Sequence, residues 1–86
     1  MQHPSTAVLF EWDEYNEREL AAHGVFPYEV EQMFWNNPQF SRNKRRAAAL
    51  WRMVGCTDSG RRLMAFITWA DEQDGVLRTV TGWEIS

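Results

Sequence analysis

Eighty-six residues, 44% apolar, 14% aromatic and 24% charged, suffice for one small core and exclude an intrinsically disordered chain. No apolar run approaches the length of a membrane span, and Met1 to Thr6 lacks the basic and apolar regions of a signal peptide, so a cytoplasmic protein is expected. The net charge of −3 hides a split: residues 1–37 carry seven acids and one base, and residues 42–62 carry seven bases and one acid. Such polarity serves a polyanion on one face, or lets two halves of one molecule attract each other.

Residues 1–6 read as a flexible tail and residues 7–86 as a single domain. Ala7 to Trp12 predicts a short strand. Asp13 then has the position of a helix N-cap, with Glu14 and Glu17 in the first turn. That helix is expected to run to about His23. Gly24 is its natural C′ residue, and Val25 would touch Leu20 in a Schellman ending. Pro27 opens a second helix at N1. Phe26, Val30, Met33 and Phe34 form its apolar stripe, with Glu29, Glu31 and Gln32 pointing elsewhere. Asn36-Asn37-Pro38 ends it.

After Pro38 the apolar period changes from 3.6 to 2. Residues 47–56, 62–70 and 76–83 predict three strands joined at Asp58-Ser59-Gly60 and Asp74-Gly75. The fold class is α+β, in the order β-α-α-β-β-β, with two helices packed on one face of an antiparallel sheet. A two-residue turn at 74–75 pairs Asp71 with Arg78 and Trp69 with Val80. A three-residue loop at 58–60 pairs Thr57 with Arg61 and Met53 with Ala65. The core face then holds Trp51, Met53, Leu63, Ala65, Ile67, Trp69 and Val80. The other face holds Arg52 and Arg62 with Met64, Phe66 and Trp83. Cations beside apolar rings read as a partner or ligand surface, and the covering chain is expected to be a second copy or another protein.

Phe10-Glu11-Trp12-Asp13-Glu14, Asn16, Leu20, His23-Gly24-Val25 and Glu29-Val30-Glu31 resemble the opening of the BrnT-like toxins, within the RelE/ParE superfamily of toxin–antitoxin systems. Gly55 to Leu63 is similar to that family's Gly-x-Thr-x-x-Gly-Arg-x-Leu hairpin, and Arg78 to Thr81 resembles its final strand. The resemblance covers roughly residues 8–83. It implies a RelE/ParE-like fold and a ribonuclease toxin held inactive by an antitoxin, with a ribbon-helix-helix protein as the expected partner. The sequence departs from the family at Ala22, where a basic residue is usual, and at Glu19, where many relatives have histidine. It also stops at Ser86, before the family's basic C-terminal helix.

Cleavage of RNA without a metal requires a proton acceptor, a proton donor and a cation at the phosphate. His23 matches the family motif and is the candidate for proton transfer, or else a helix C-cap with no chemistry. Arg61 matches the hairpin arginine, and Arg61 with Arg62 are the candidates for stabilising phosphate. Arg42, Lys44, Arg45, Arg46 and Arg52 are the candidate RNA-binding cations, with Phe40 beside them stacking on a base or anchoring the loop. Arg78 has an alternative role in a cross-strand pair with Asp71. Cys56, the only cysteine, reads as a buried strand residue, and Trp12, Trp35, Trp51 and Trp69 as core or near-core. His3, His23 and Cys56 are too scattered for a zinc site, and no cofactor is expected. Two functions stand: a metal-independent endoribonuclease toxin that inhibits translation, and a catalytically degenerate relative acting as a protein- or nucleic-acid-binding regulator.

Overall fold

A reciprocal cap starts the first helix, α1 (Glu14–Ala22). The Asp13 carboxylate accepts from the Asn16 amide at 2.9 Å, and the Asn16 side chain accepts from the Asp13 amide at 2.8 Å. Two N–H groups that lack helical partners are thereby satisfied. The helix ends at Gly24, with φ 73°. The Gly24 amide donates to Ala21 and the Val25 amide to Leu20, both at 3.0 Å. This is the Schellman arrangement expected from the sequence, and Leu20 and Val25 are both buried.

The second helix, α2 (Pro27–Trp35), buries Val30, Met33 and Phe34 as its spacing predicts. Two assignments at its start are reversed. Phe26 is the N-cap residue, extended and 54% exposed, because the apolar stripe begins only inside the helix. Glu29 is buried, because an acid at N3 curls back over the helix start and accepts the Phe26 amide at 3.1 Å.

The computed structural model describes residues 2–43 and 51–86. The expected strand residues 47–50 and the candidate cations Lys44, Arg45 and Arg46 lie outside them. The strands are β1 (Leu9–Phe10), β2 (Gln39–Arg42), β3 (Trp51–Cys56), β4 (Arg62–Asp71) and β5 (Val76–Glu84). They form one sheet in the order β1-β5-β4-β3-β2. The α+β class holds, but the sheet is mixed rather than antiparallel, since β1 runs parallel to β5. It also gains β2, where a loop is expected. Four residues after Pro38 are too few to display a period, yet Gln39, Phe40, Ser41 and Arg42 pair antiparallel with Val54, Met53, Arg52 and Trp51.

The hairpin between β3 and β4 has the expected register, with Met53 opposite Ala65 and the Thr57 amide donating to the Arg61 carbonyl at 2.9 Å. The next hairpin does not. Its loop spans four residues, because the Asp71 carboxylate accepts from the Asp74 amide at 3.1 Å and Gly75 bonds back to Glu72. Asp71 therefore faces Val76, and Thr68 faces Arg78. An irregularity then places Thr79 opposite Ile67 and Thr81 opposite Phe66, which leaves Val80 as the extra residue. Leu77 and Thr79, rather than Val80, point into the core.

The helices cover one sheet face. Met53, Leu63, Ala65, Ile67 and Leu77 bury against Leu20, Val25, Val30, Met33 and Phe34. Trp12, Phe40 and Trp69 pack at the margin of this core, so Phe40 is an anchor. Trp35, expected near the core, is 67% exposed, because it follows Phe34 off the buried stripe. The N-terminal segment is structured where a loose tail is expected. Pro4–Thr6 form a 3-10 turn with Pro4 buried, and the His3 ring meets Phe40 and Trp51 edge-on at 5.1 and 4.9 Å.

Candidate functional site

Among the described residues, the sheet face opposite the helices is uncovered, and it is built from two rows of side chains set by strand register. One row runs Ser41, Arg52, Phe66, Thr81. The other runs Gln39, Val54, Met64, Trp83. Both rows end at α1, which lies beside β5 beyond the short reach of β1. The Thr81 hydroxyl donates to Glu19 at 2.8 Å, and the Trp83 ring lies 5.7 Å from the His23 ring. Glu19 and His23 are one helical turn apart, and the His23 Nε2 is 3.3 Å from the Glu19 carboxylate. The sheet thus delivers two arginine-bearing strands to a His–Glu pair on the rim of the same surface. Phe66 and Trp83, with ring centroids 5.9 Å apart, form its aromatic centre. Met64, Phe66 and Trp83, the candidate partner surface, are each half-buried.

Arg52 and Arg62 are exposed, and among the described residues no carboxylate lies within salt-bridge distance of either. Arg52 sits two strands from Thr81, about 10 Å across the sheet at the usual strand spacing. A fully extended arginine covers much of that gap. Arg42 is not part of this face. It pairs with Trp51 on the side of the sheet that carries the core, and its guanidinium lies 5.1 Å over the Trp51 ring. The pleat, alternating along β2, separates Arg42 from Arg52.

Arg61 is committed elsewhere. Its Nη1 donates to both Glu29 oxygens at 2.7 and 2.9 Å, and its Nε donates to Glu84 at 3.1 Å. Glu29 first, then Glu84, hold the guanidinium still more firmly protonated than an ordinary arginine. Its remaining nitrogen lies near Gly24, the residue after His23. Two of its three nitrogens face carboxylates, so no pair is left for a bidentate clamp on phosphate. Arg78 is likewise paired, with Glu11 at 2.7 Å and Asp13 at 2.8 Å rather than with Asp71, as the altered register requires.

Comparison with protein-family models, with curated proteins and with solved structures finds no match for this chain. The functional reading therefore rests on its own geometry.

Cys56 is exposed rather than buried, because it ends β3 on the uncovered side opposite Arg62. Among the described residues no three His, Cys, Asp or Glu side chains converge as a metal site would need, and no helix is long and apolar enough to cross a membrane. Of the sequence candidates, the structure brings His23, Arg52, Arg62, Met64, Phe66 and Trp83 to one surface and its rim. Glu19 and Thr81 complete that group and were missed as functional candidates. The i,i+4 spacing of Glu19 and His23 was a usable signal. The Thr81–Glu19 bond was not, since it needs the β5 register.

Proposed function

We propose that the chain binds single-stranded RNA across the uncovered sheet face and cleaves it without a metal, as a BrnT-like, RelE/ParE-type toxin would. The observation that carries this reading is the Glu19–His23 pair beside Trp83, on the rim of a surface bearing Arg52 and Arg62. Phe66 and Trp83 offer rings for bases, and the two arginines offer charge to the backbone. The Glu19 carboxylate, 3.3 Å from Nε2, would hold the imidazole by charge and leave Nδ1 to meet the substrate. His23 would take the 2′-hydroxyl proton as that oxygen attacks phosphorus. It would return the proton to the departing 5′-oxygen, leaving a 2′,3′-cyclic phosphate. Arg52 and Arg62 would stabilise the charge on the phosphorane. An antitoxin that covers this face, or a second copy, would silence it.

The second reading, a regulator that binds without cleaving, is favoured by one observation: Glu29 and Glu84 occupy the donors of Arg61, the arginine of the family hairpin motif. Incubation of the purified chain with a mixed-sequence RNA in EDTA separates the two. Wild type is expected to cleave, and His23→Ala to lose about 10²-fold or more, the usual contribution of a positioned acid–base group. Arg52→Ala with Arg62→Ala should weaken binding and flatten its salt dependence. Binding without cleavage, unchanged by His23→Ala, replaces the enzyme reading with the regulatory one.

A further inference from the structure

Trp35 stands on the helix side of the molecule, away from the sheet face discussed above. Phe34 meets its ring edge-on at 4.9 Å, so the exposed indole is braced. It forms a wall shared by two shallow grooves. The first, of about 470 Å³, is lined by Tyr28, Glu31, Gln32, Trp35, Asn36 and Asp58. The second, of about 390 Å³, is lined by Phe34, Phe40, Pro38 and His3 together with Trp35, and no carboxylate lines it.

The two grooves differ in the chemistry they accept. No basic side chain lines the first. Glu31 uses one carboxylate oxygen to accept from the Trp12 indole at 2.8 Å, and Asp58 uses one to accept from Asn36 at 3.0 Å. Among the described residues, the second oxygen of each has no partner. A groove that carries two carboxylates and two aromatic rings suits a guanidinium, which pairs with acids and stacks on rings. The second groove offers rings and a proline with little charge, and suits a proline ring or another compact apolar group. In a polyproline II segment, residues three apart fall on the same side and about 9 Å apart. That spacing lets one segment straddle a single indole.

We propose that Trp35 and its flanking grooves bind an extended segment of another protein that carries arginine and proline three residues apart. The arginine enters the Tyr28–Glu31–Asp58 groove, and the proline packs between Trp35 and Phe40. This surface is independent of the sheet face, so RNA cleavage and peptide binding succeed or fail separately.

The test is a titration of the full chain, followed by amide and indole NMR shifts. The probe is a synthetic peptide of three Arg-Pro-Pro repeats. Repeats of Arg-Gly-Gly and of Gln-Pro-Pro serve as matched controls. The expected result is saturable binding, with shifts at Tyr28, Glu31, the Trp35 indole and Phe40, and weaker binding of both controls. Trp35→Ala, a surface change, should weaken binding about tenfold or more, as loss of an aromatic anchor does. Glu31→Gln with Asp58→Asn keeps the internal hydrogen-bond acceptors and should abolish the preference for the arginine peptide. The proposal is overturned if the probe does not bind at millimolar concentration, if Arg-Gly-Gly binds as tightly, if Trp35→Ala leaves affinity unchanged, or if the shifts fall instead around Glu14 and Glu17.

Discussion

Replacing Gly24 with alanine isolates a backbone effect, because the structure leaves room for the added methyl group. A Cβ there meets nothing nearer than the Arg61 Nη2 at 3.8 Å, an ordinary van der Waals separation. The cost therefore comes from φ 73°, a left-handed conformation that a residue with a Cβ adopts at about 1–2 kcal/mol. Alanine also stiffens the unfolded chain, which offsets a few tenths of that. The net expectation is about 1 kcal/mol, or about 4–8 °C in melting temperature for a domain of this size. Asparagine tolerates the left-handed region, so Gly24→Asn should fall between wild type and alanine. Thermal unfolding followed by circular dichroism at neutral pH, with calorimetry to verify a two-state transition, measures all three. A Gly24→Ala midpoint within one degree of wild type would refute the argument that the Schellman turn imposes this conformation. His23 is the C-cap residue directly before Gly24, so cleavage well below the melting range reads separately whether the ring has moved.

Gly82 tests space rather than conformation. A Cβ there would lie 2.8 Å from the Met64 carbonyl oxygen and 3.3 Å from Ala65, so Gly82→Ala should destabilise by about 1–3 kcal/mol in urea unfolding; an unchanged midpoint would contradict the strand pairing. Arg61→Lys keeps the charge but loses the planar set of donors that reaches Glu29 and Glu84 together. Its melting temperature should fall, while the RNA cleavage proposed above should stay near wild type at saturating substrate, and the reverse pattern would give Arg61 a part in that proposed chemistry. The Asp13 carboxyl is held below its ordinary pKa by the Asn16 amide and by Arg78. The unfolded chain therefore binds this proton at higher pH than the native one, and stability rises with pH across the interval. The contribution is complete above the unfolded value of about 3.9 and is lost as pH falls through the lower native value. Asp13→Asn should flatten the acid limb of a melting-temperature profile, and an unchanged limb would count against the pairing.

The helices were legible because their ends carry strong local chemistry. Asp13, Gly24 and Pro27 each announce a boundary through a requirement that few other residues meet. The β3–β4 register was legible because a three-residue loop with Gly60 at φ 89° admits little choice. The β4–β5 register was not, since Asp71 caps a longer loop through its side chain and Val80 interrupts the alternation. That error displaced Arg78 from Glu11 and Asp13. The parallel pairing of β1 depends on residues far apart in sequence, which no local pattern reports. The placement of Arg52 and Arg62 on one sheet face followed from the pleat, and the seat of His23 beside Trp83 depends on how α1 meets β5. The capture of Arg61 did not follow, because it requires Glu29 to be buried, and an acid on the polar side of a helix gives no sign of that.

The parallel pairing also fixes an order in time. Leu9 and Phe10 lie against Val76 and Leu77, sixty-seven residues further along the chain. On a ribosome adding about 5–20 residues per second, β1 waits roughly 3–13 seconds for its partner strand. Throughout that interval Phe10 has no sheet to enter, and Val8 and Leu9 remain apolar and unpaired beside it. Non-local pairing of this kind slows folding and leaves the nascent chain open to association. β1 leaves the ribosome well before its partner and is thus among the last strands to be secured, and during synthesis the segment around Val8 to Phe10 is where a chaperone or a neighbouring nascent chain would find purchase.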